Sequence, residues 1–187
     1  MSNGSFSGNP KTEWLSDKGG DRDMRMLEAF WYIDPNGRRW DAPVGTVVNG
    51  ASIPRTLWST VGSPYTGDYR RAAVVHDAAV GQQGVLRADA DTMFYYACLA
   101  GGCSLVQAKM LYAGVRIGAW AATNQVLSLD AAAQLPDGYR LPGQQTAREL
   151  EVRARYTVIA NQLMTTSDNF ADIERVVNAN LGPPPAR

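Results

Sequence analysis

From Asp68 to Ala122 the chain carries one long helical period, and glycine breaks it twice, at Gly81-Gln82-Gln83-Gly84 and at Gly101-Gly102. Glycine weakens a helix interior and is the favoured residue just past a helix end, so each break is read as a stop. Three helices follow: Tyr69 to Val80, Arg87 to Ala100, and a third that starts at a Ser104/Gln107 capping box and reaches about Ala122. The connection Gly81 to Leu86 is short, which makes the first two helices antiparallel neighbours. Alanines at 72, 73, 78 and 79 let the partner approach closely.

Upstream the period changes. Met24 to Ile33 is aromatic and apolar, Asp34-Pro35-Asn36-Gly37 is a turn with Asn-Gly suited to positive φ, and Arg38 to Ala42 and Val44 to Val48 continue as short extended runs. A short helix is expected from Arg55 to Val61. Downstream, Thr146 to Leu163 is a charge-laced helix, and Ser167 or Asp168 caps another to about Ala179 before a Pro-rich end. The fold class predicted is α+β, a small N-terminal antiparallel sheet packed on a mainly helical body with an antiparallel helix pair. The expected organisation is a flexible polar arm over 1–23, a core over 24–122, an irregular connection over 123–145, and appended helices with a tail over 146–187.

Composition narrows the function classes. The 187 residues are 45% hydrophobic, enough for one core. Eighteen basic and 18 acidic residues cancel, which argues against a phosphate-driven nucleic-acid binder and a polybasic membrane tether. No run reaches the roughly 18 apolar residues of a membrane span, and no Sec-type leader opens the chain. Two cysteines, Cys98 and Cys103, are too few for a disulfide scaffold and either bridge each other or stay reduced.

The chain has a single histidine, His76, so no site can draw several histidines from it. His76-Asp77 lies on the first helix, and Asp91, Phe94, Tyr95 and Cys98 share a stripe of the second. His76 and Asp91 can therefore meet across the pair. A carboxylate on one imidazole nitrogen fixes the tautomer and leaves the other nitrogen to deprotonate water. The same pair also serves as a satisfied buried contact that fixes helix register. Asp77 points about 100° away on the helix and is a candidate calcium ligand beside the loop Asn49, Gly50 and Ser52. Ser52 lacks the Gly-x-Ser-x-Gly surroundings of a hydrolase nucleophile.

The run Gly50-Ala51-Ser52-Ile53-Pro54-Arg55, then Trp58, Tyr69-Arg70-Arg71-Ala72-Ala73-Val74-Val75-His76-Asp77, Arg87, Ala90-Asp91, Phe94, Tyr112 and Val115 resembles domain-of-unknown-function family 1353, common in bacteriophages and prophages. The resemblance covers about Phe30 to Gly118. It implies a virion- or tail-associated structural or interaction protein, located in the virion or host cytoplasm, with other virion or tail proteins as partners. His76, Asp77, Asp91 and Phe94 are also similar, more distantly, to the helix pair of secreted bacterial sn-2-ester phospholipases. That likeness implies an alternative: a calcium-assisted hydrolase of lipid or another ester, with His76 as base, Asp91 orienting it and Asp77 on calcium. The chain departs from both patterns. Ala78-Ala79-Val80 replace the aromatic usual after His-Asp, Asn49 replaces an acid before Gly-Ala-Ser, and the Gly- and Cys-rich calcium loop and disulfide frame are missing.

Overall fold

A computed structural model describes residues 2–15, 23–50, 52–62, 67–123 and 145–185. The strands are β1 (Ser5–Phe6), β2 (Thr12–Trp14), β3 (Met24–Met26), β4 (Phe30–Ile33), β5 (Arg39–Ala42) and β6 (Val47–Val48). The helices are α1 (Trp58–Val61), α2 (Arg70–Gly81), α3 (Arg87–Gly101), α4 (Leu105–Thr123), α5 (Ala147–Thr165) and α6 (Phe170–Leu181). This is the α+β architecture expected, with the sheet split into two antiparallel three-stranded pieces, ordered β1-β4-β5 and β2-β3-β6.

The hairpin β4–β5 alternates as a half-buried strand pair should. Phe30, Tyr32, Trp40 and Ala42 face the core, while Trp31, Ile33, Arg39 and Asp41 face outward. Asp34 holds the turn: its carboxylate accepts from the amides of Asn36 and Arg38 and from Trp40 Nε1, and Gly37 takes a φ of +84°.

The polar arm corrects the sequence reading. Ser5–Phe6 pairs with β4, and Thr12–Trp14 pairs with β3. Phe6 is the reason: its ring stacks on Phe30 at 5.7 Å and tilts against Tyr32 at 4.9 Å, with the Arg71 guanidinium 4.8 Å above it. One aromatic anchor and a strand edge outweigh a Gly- and Ser-rich neighbourhood. Gly4 is required there, because a Cβ would strike the carbonyl oxygen of Ile33.

Helix α2 is buried almost all round, from Ala72 to His76 and again at Ala78 and Ala79. It lies between α3 on one side and β4, β5 and β6 on the other, which is why its sequence shows so many small residues. Helices α5 and α6 are part of the same core and not an appendage. Val152, Tyr156, Ile159, Leu163, Ile173 and Val177 are buried with the rest, and Phe170 packs on Tyr95, Tyr96 and Tyr112. The buried Lys109 ammonium ties α4 to the α5–α6 turn through Thr166 O at 2.8 Å and Asp168 at 2.9 Å. Asp168 is thereby taken up by Lys109, and the α6 cap is Asn169, whose Oδ1 accepts from the Ala171 amide. Most of the 123–145 connection lies outside the described residues. No described helix is long and apolar enough to cross a membrane.

Candidate functional site

Antiparallel packing of α2 on α3 brings His76 to Asp91, as the spacing implies. Nε2 of His76 lies 2.8 Å from Asp91 Oδ1, and both side chains are fully buried. A ring nitrogen facing a carboxylate carries the proton, so the histidine donates from Nε2. The ring tilts against Phe94 at 4.9 Å. Nδ1 is buried without a partner among the described residues.

The sequence reading missed two further members. Arg87, at the start of α3, turns inward. Its Nε donates to Asp91 Oδ1 at 2.8 Å and its Nη2 to Val115 O at 3.2 Å. Asp89 pairs with Arg38 at 2.9 Å. The i,i+4 spacing of Arg87 and Asp91 was the available signal. Arg116, on α4, is buried with its Nε 3.7 Å from Asp91 Oδ2. It also reaches Tyr112 Oη, Asn178 Oδ1 and Gly182 O, so it ties the end of α6 to the centre. A lone arginine within the apolar run Leu111 to Ile117 marked it in the sequence.

One carboxylate thus serves two guanidinium groups and an imidazole N–H. Oδ1 takes both His76 and Arg87, and Oδ2 faces the Arg116 guanidinium at 3.7 Å without a hydrogen bond among the described residues, so one carboxylate links α2, α3 and α4 and ties their relative register. The His76 side chain has no accessible surface, so its free nitrogen does not open to bulk solvent in this conformation.

Asp77 has a different task from the one expected. Its Oδ2 accepts the backbone amides of Asn49, at 2.8 Å, and Gly50, at 2.5 Å. The loop therefore offers N–H groups to this carboxylate, the opposite polarity from the carbonyl oxygens that would complete a calcium site. Among the described residues no three His, Cys, Asp or Glu side chains gather as a metal site. Calcium does not fit this arrangement. Beyond Gly50 the loop docks on α4. Ser52 adopts a φ of +51°, Ile53 is buried, and the Ser52 carbonyl oxygen sits against Gly118, where a Cβ would collide with it. Ser52 itself is exposed while His76 is sealed. Cys98 and Cys103 are both buried and unbonded.

Burial raises the Asp77 carboxyl above its ordinary value near 3.8, against the opposing pull of His76, the Gly50 and Asn49 amides, and Arg87. A carboxyl raised in the folded state adds stability below pH 3.8 that is lost as pH rises through the folded value. Wild type is therefore expected to lose stability across that interval relative to Asp77→Asn, which lacks this titration. Denaturant midpoints at several pH values measure this slope.

A family model described as "Protein of unknown function (DUF1353)" matches residues 24–115, just under half of the chain, and includes both α2 and α3. Two proteins of Sinorhizobium fredii (strain NBRC 101917 / NGR234) are similar. The uncharacterized protein y4jT is 38% identical over 113 residues, which are 58% of this chain and 32% of that protein. The uncharacterized protein y4iH is 38% identical over 102 residues, 54% of this chain and 43% of that protein. The chain thus spans less than half the length of either relative. No solved structure matches.

Proposed function

We propose that this chain is a structural or interaction component of a phage or prophage particle, and that its hydrolase-like His-Asp centre is a lock within the fold. The observation that carries the reading is the complete burial of His76 and Asp91 within a charge cluster that ties three helices together. A water-activating base needs an open nitrogen and a place for substrate beside it. Here the partner contacts of Asp91 are spent on Arg87 and Arg116, and Asp77 is spent on two loop amides. The relatives support a modular role, since the shared segment forms only part of each longer chain. The family that the sequence resembles supports the particle context.

The test has two arms. Purified wild type, with millimolar calcium and phospholipid or short-chain ester substrates, is expected to show no hydrolysis above a heat-treated control. The tagged chain, expressed during particle assembly, is expected to co-sediment with particles or tails. Calcium-dependent hydrolysis that disappears in His76→Ala, with the chain absent from particles, would favour the hydrolase alternative.

A further inference from the structure

The chain has two cysteines, and the fold brings them together. Cys98 lies in the last turn of α3, and Cys103 stands just past its end. Gly102 takes the left-handed conformation, with φ +108°, that closes the helix. The Cys103 amide then donates back to Cys98 O at 3.1 Å, and the Gly102 amide to Leu99 O at 3.2 Å. This paired closure sets the side chain beyond the helix end against one in its last turn, a contact that apolar residues usually make. Here both positions are cysteine. The backbone bond alone holds the two Cα atoms within about 7 Å, the limit that a disulfide spans. The thiols meet in a side-chain hydrogen bond.

The two thiols are not equivalent. Cys98 has no accessible surface, and burial pushes its thiol well above the ordinary value. Cys103, in the turn between α3 and α4, keeps 6% of its surface exposed. The hydrogen bond from Cys98 lowers its thiol, against burial and the Asp68 carboxylate. Access and thiolate character both select Cys103 as the nucleophile, with Cys98 already in contact behind it. The turn that holds them is firmly seated. Asp68 O sits against Gly101, where a Cβ would collide with it, and the Arg71 guanidinium donates to Gly101 O at 3.3 Å.

We infer that Cys98 and Cys103 form a reversible oxidation site, which hydrogen peroxide closes to an intramolecular disulfide. The Cys103 sulfur attacks one peroxide oxygen. An S–O bond forms, the O–O bond breaks, and the departing hydroxide leaves as water with the thiol proton. The Cys98 sulfur then attacks the sulfenic sulfur of Cys103. An S–S bond replaces the S–O bond, and the second hydroxide leaves as water with the Cys98 proton. The two sulfurs together lose the two electrons that the peroxide gains, and a thiol reductant returns them. Because the pair already touches within a closed turn, the bond forms without displacing α3 or α4. The inference is independent of the particle reading, because it needs neither an assembly partner nor an active histidine.

The reduced full chain is treated with hydrogen peroxide, alkylated, and mapped by mass spectrometry. The expected product is a monomer lighter by two hydrogen atoms, with Cys98 joined to Cys103, and dithiothreitol restores both thiols. Its melting temperature is expected to rise on oxidation and to return on reduction, as for a bond that the native geometry accepts. Cys98→Ala is expected to stop at a Cys103 sulfenic acid that dimedone traps, and Cys103→Ala to oxidise at least about tenfold more slowly than wild type. The wild-type mapping and melts decide the matter even if neither variant folds. Two free thiols in the folded chain under peroxide that oxidises the denatured one, disulfide-linked dimers, or a lower melting temperature after oxidation would overturn the site.

Discussion

Asp91→Ala is expected to be the most damaging single change in the polar centre, costing about 3–5 kcal/mol, the usual effect of removing one partner from a buried ion pair. The loss does not come from a missing attraction alone. Arg87 and Arg116 would remain in the interior without a counter-charge, and His76 Nε2–H would lose its acceptor. For a chain of this size each kcal/mol moves the melting temperature by roughly 2–4 °C, so a drop of about 6–20 °C is expected. His76→Ala leaves Asp91 with both arginines and is expected to cost less, with a cavity beside Phe94 as its main effect. The order, Asp91 above His76, separates the lock from a catalytic dyad, where either change removes activity and neither need unfold the protein. Thermal melts of the two variants and wild type measure it.

The second large effect is expected at Gly118. Alanine inside a helix normally improves on glycine by up to about 1 kcal/mol. Here the new Cβ would meet the Ser52 carbonyl oxygen, which is backbone and cannot rotate away. The loop cannot retreat cheaply either, because the Asn49 and Gly50 amides are held by Asp77 on α2 and the buried Ile53 is packed on α4. Overpacking of about 1–3 kcal/mol should therefore exceed the helix gain and give a net loss. Gly114→Ala supplies the contrast. Its Cβ would touch Ile53 side-chain atoms at 3.4 Å, an ordinary contact, and little net change is expected. Denaturant unfolding of the two variants compares them. If Gly118→Ala proves the more stable, the loop does not dock on α4 as described.

The same loop shows what the sequence could and could not reveal. The glycine breaks at Gly81–Gly84 and Gly101–Gly102 made the helix pair readable, and the spacing of His76 and Asp91 made their meeting readable, because both are local rules of helix geometry. The meaning of Asp77 was not readable. A carboxylate next to a histidine suggests a cation until its neighbours are known to be amide donors, and that depends on a loop placed by tertiary packing. Arg116 escaped for a related reason, since its partner lies on another helix and no local spacing links them. Phe6 was lost in a polar stretch because a strand of two residues has no period to detect. Helices α5 and α6 looked separate because the irregular stretch before them reads as a boundary, yet Val152, Ile159 and Val177 complete the core beneath α4.

Because the chain has one histidine, the imidazole region of its NMR spectrum reports His76 alone, and that spectrum tests the central claim most directly. If the centre is a lock, long-range ¹H–¹⁵N correlations will show a proton held on Nε2 and exchanging slowly with water, and diethyl pyrocarbonate will modify the native protein far more slowly than the unfolded chain. A ring that exchanges its proton rapidly and reacts at the rate of an exposed imidazole would contradict the account, because His76 would then be open to solvent and available as a base.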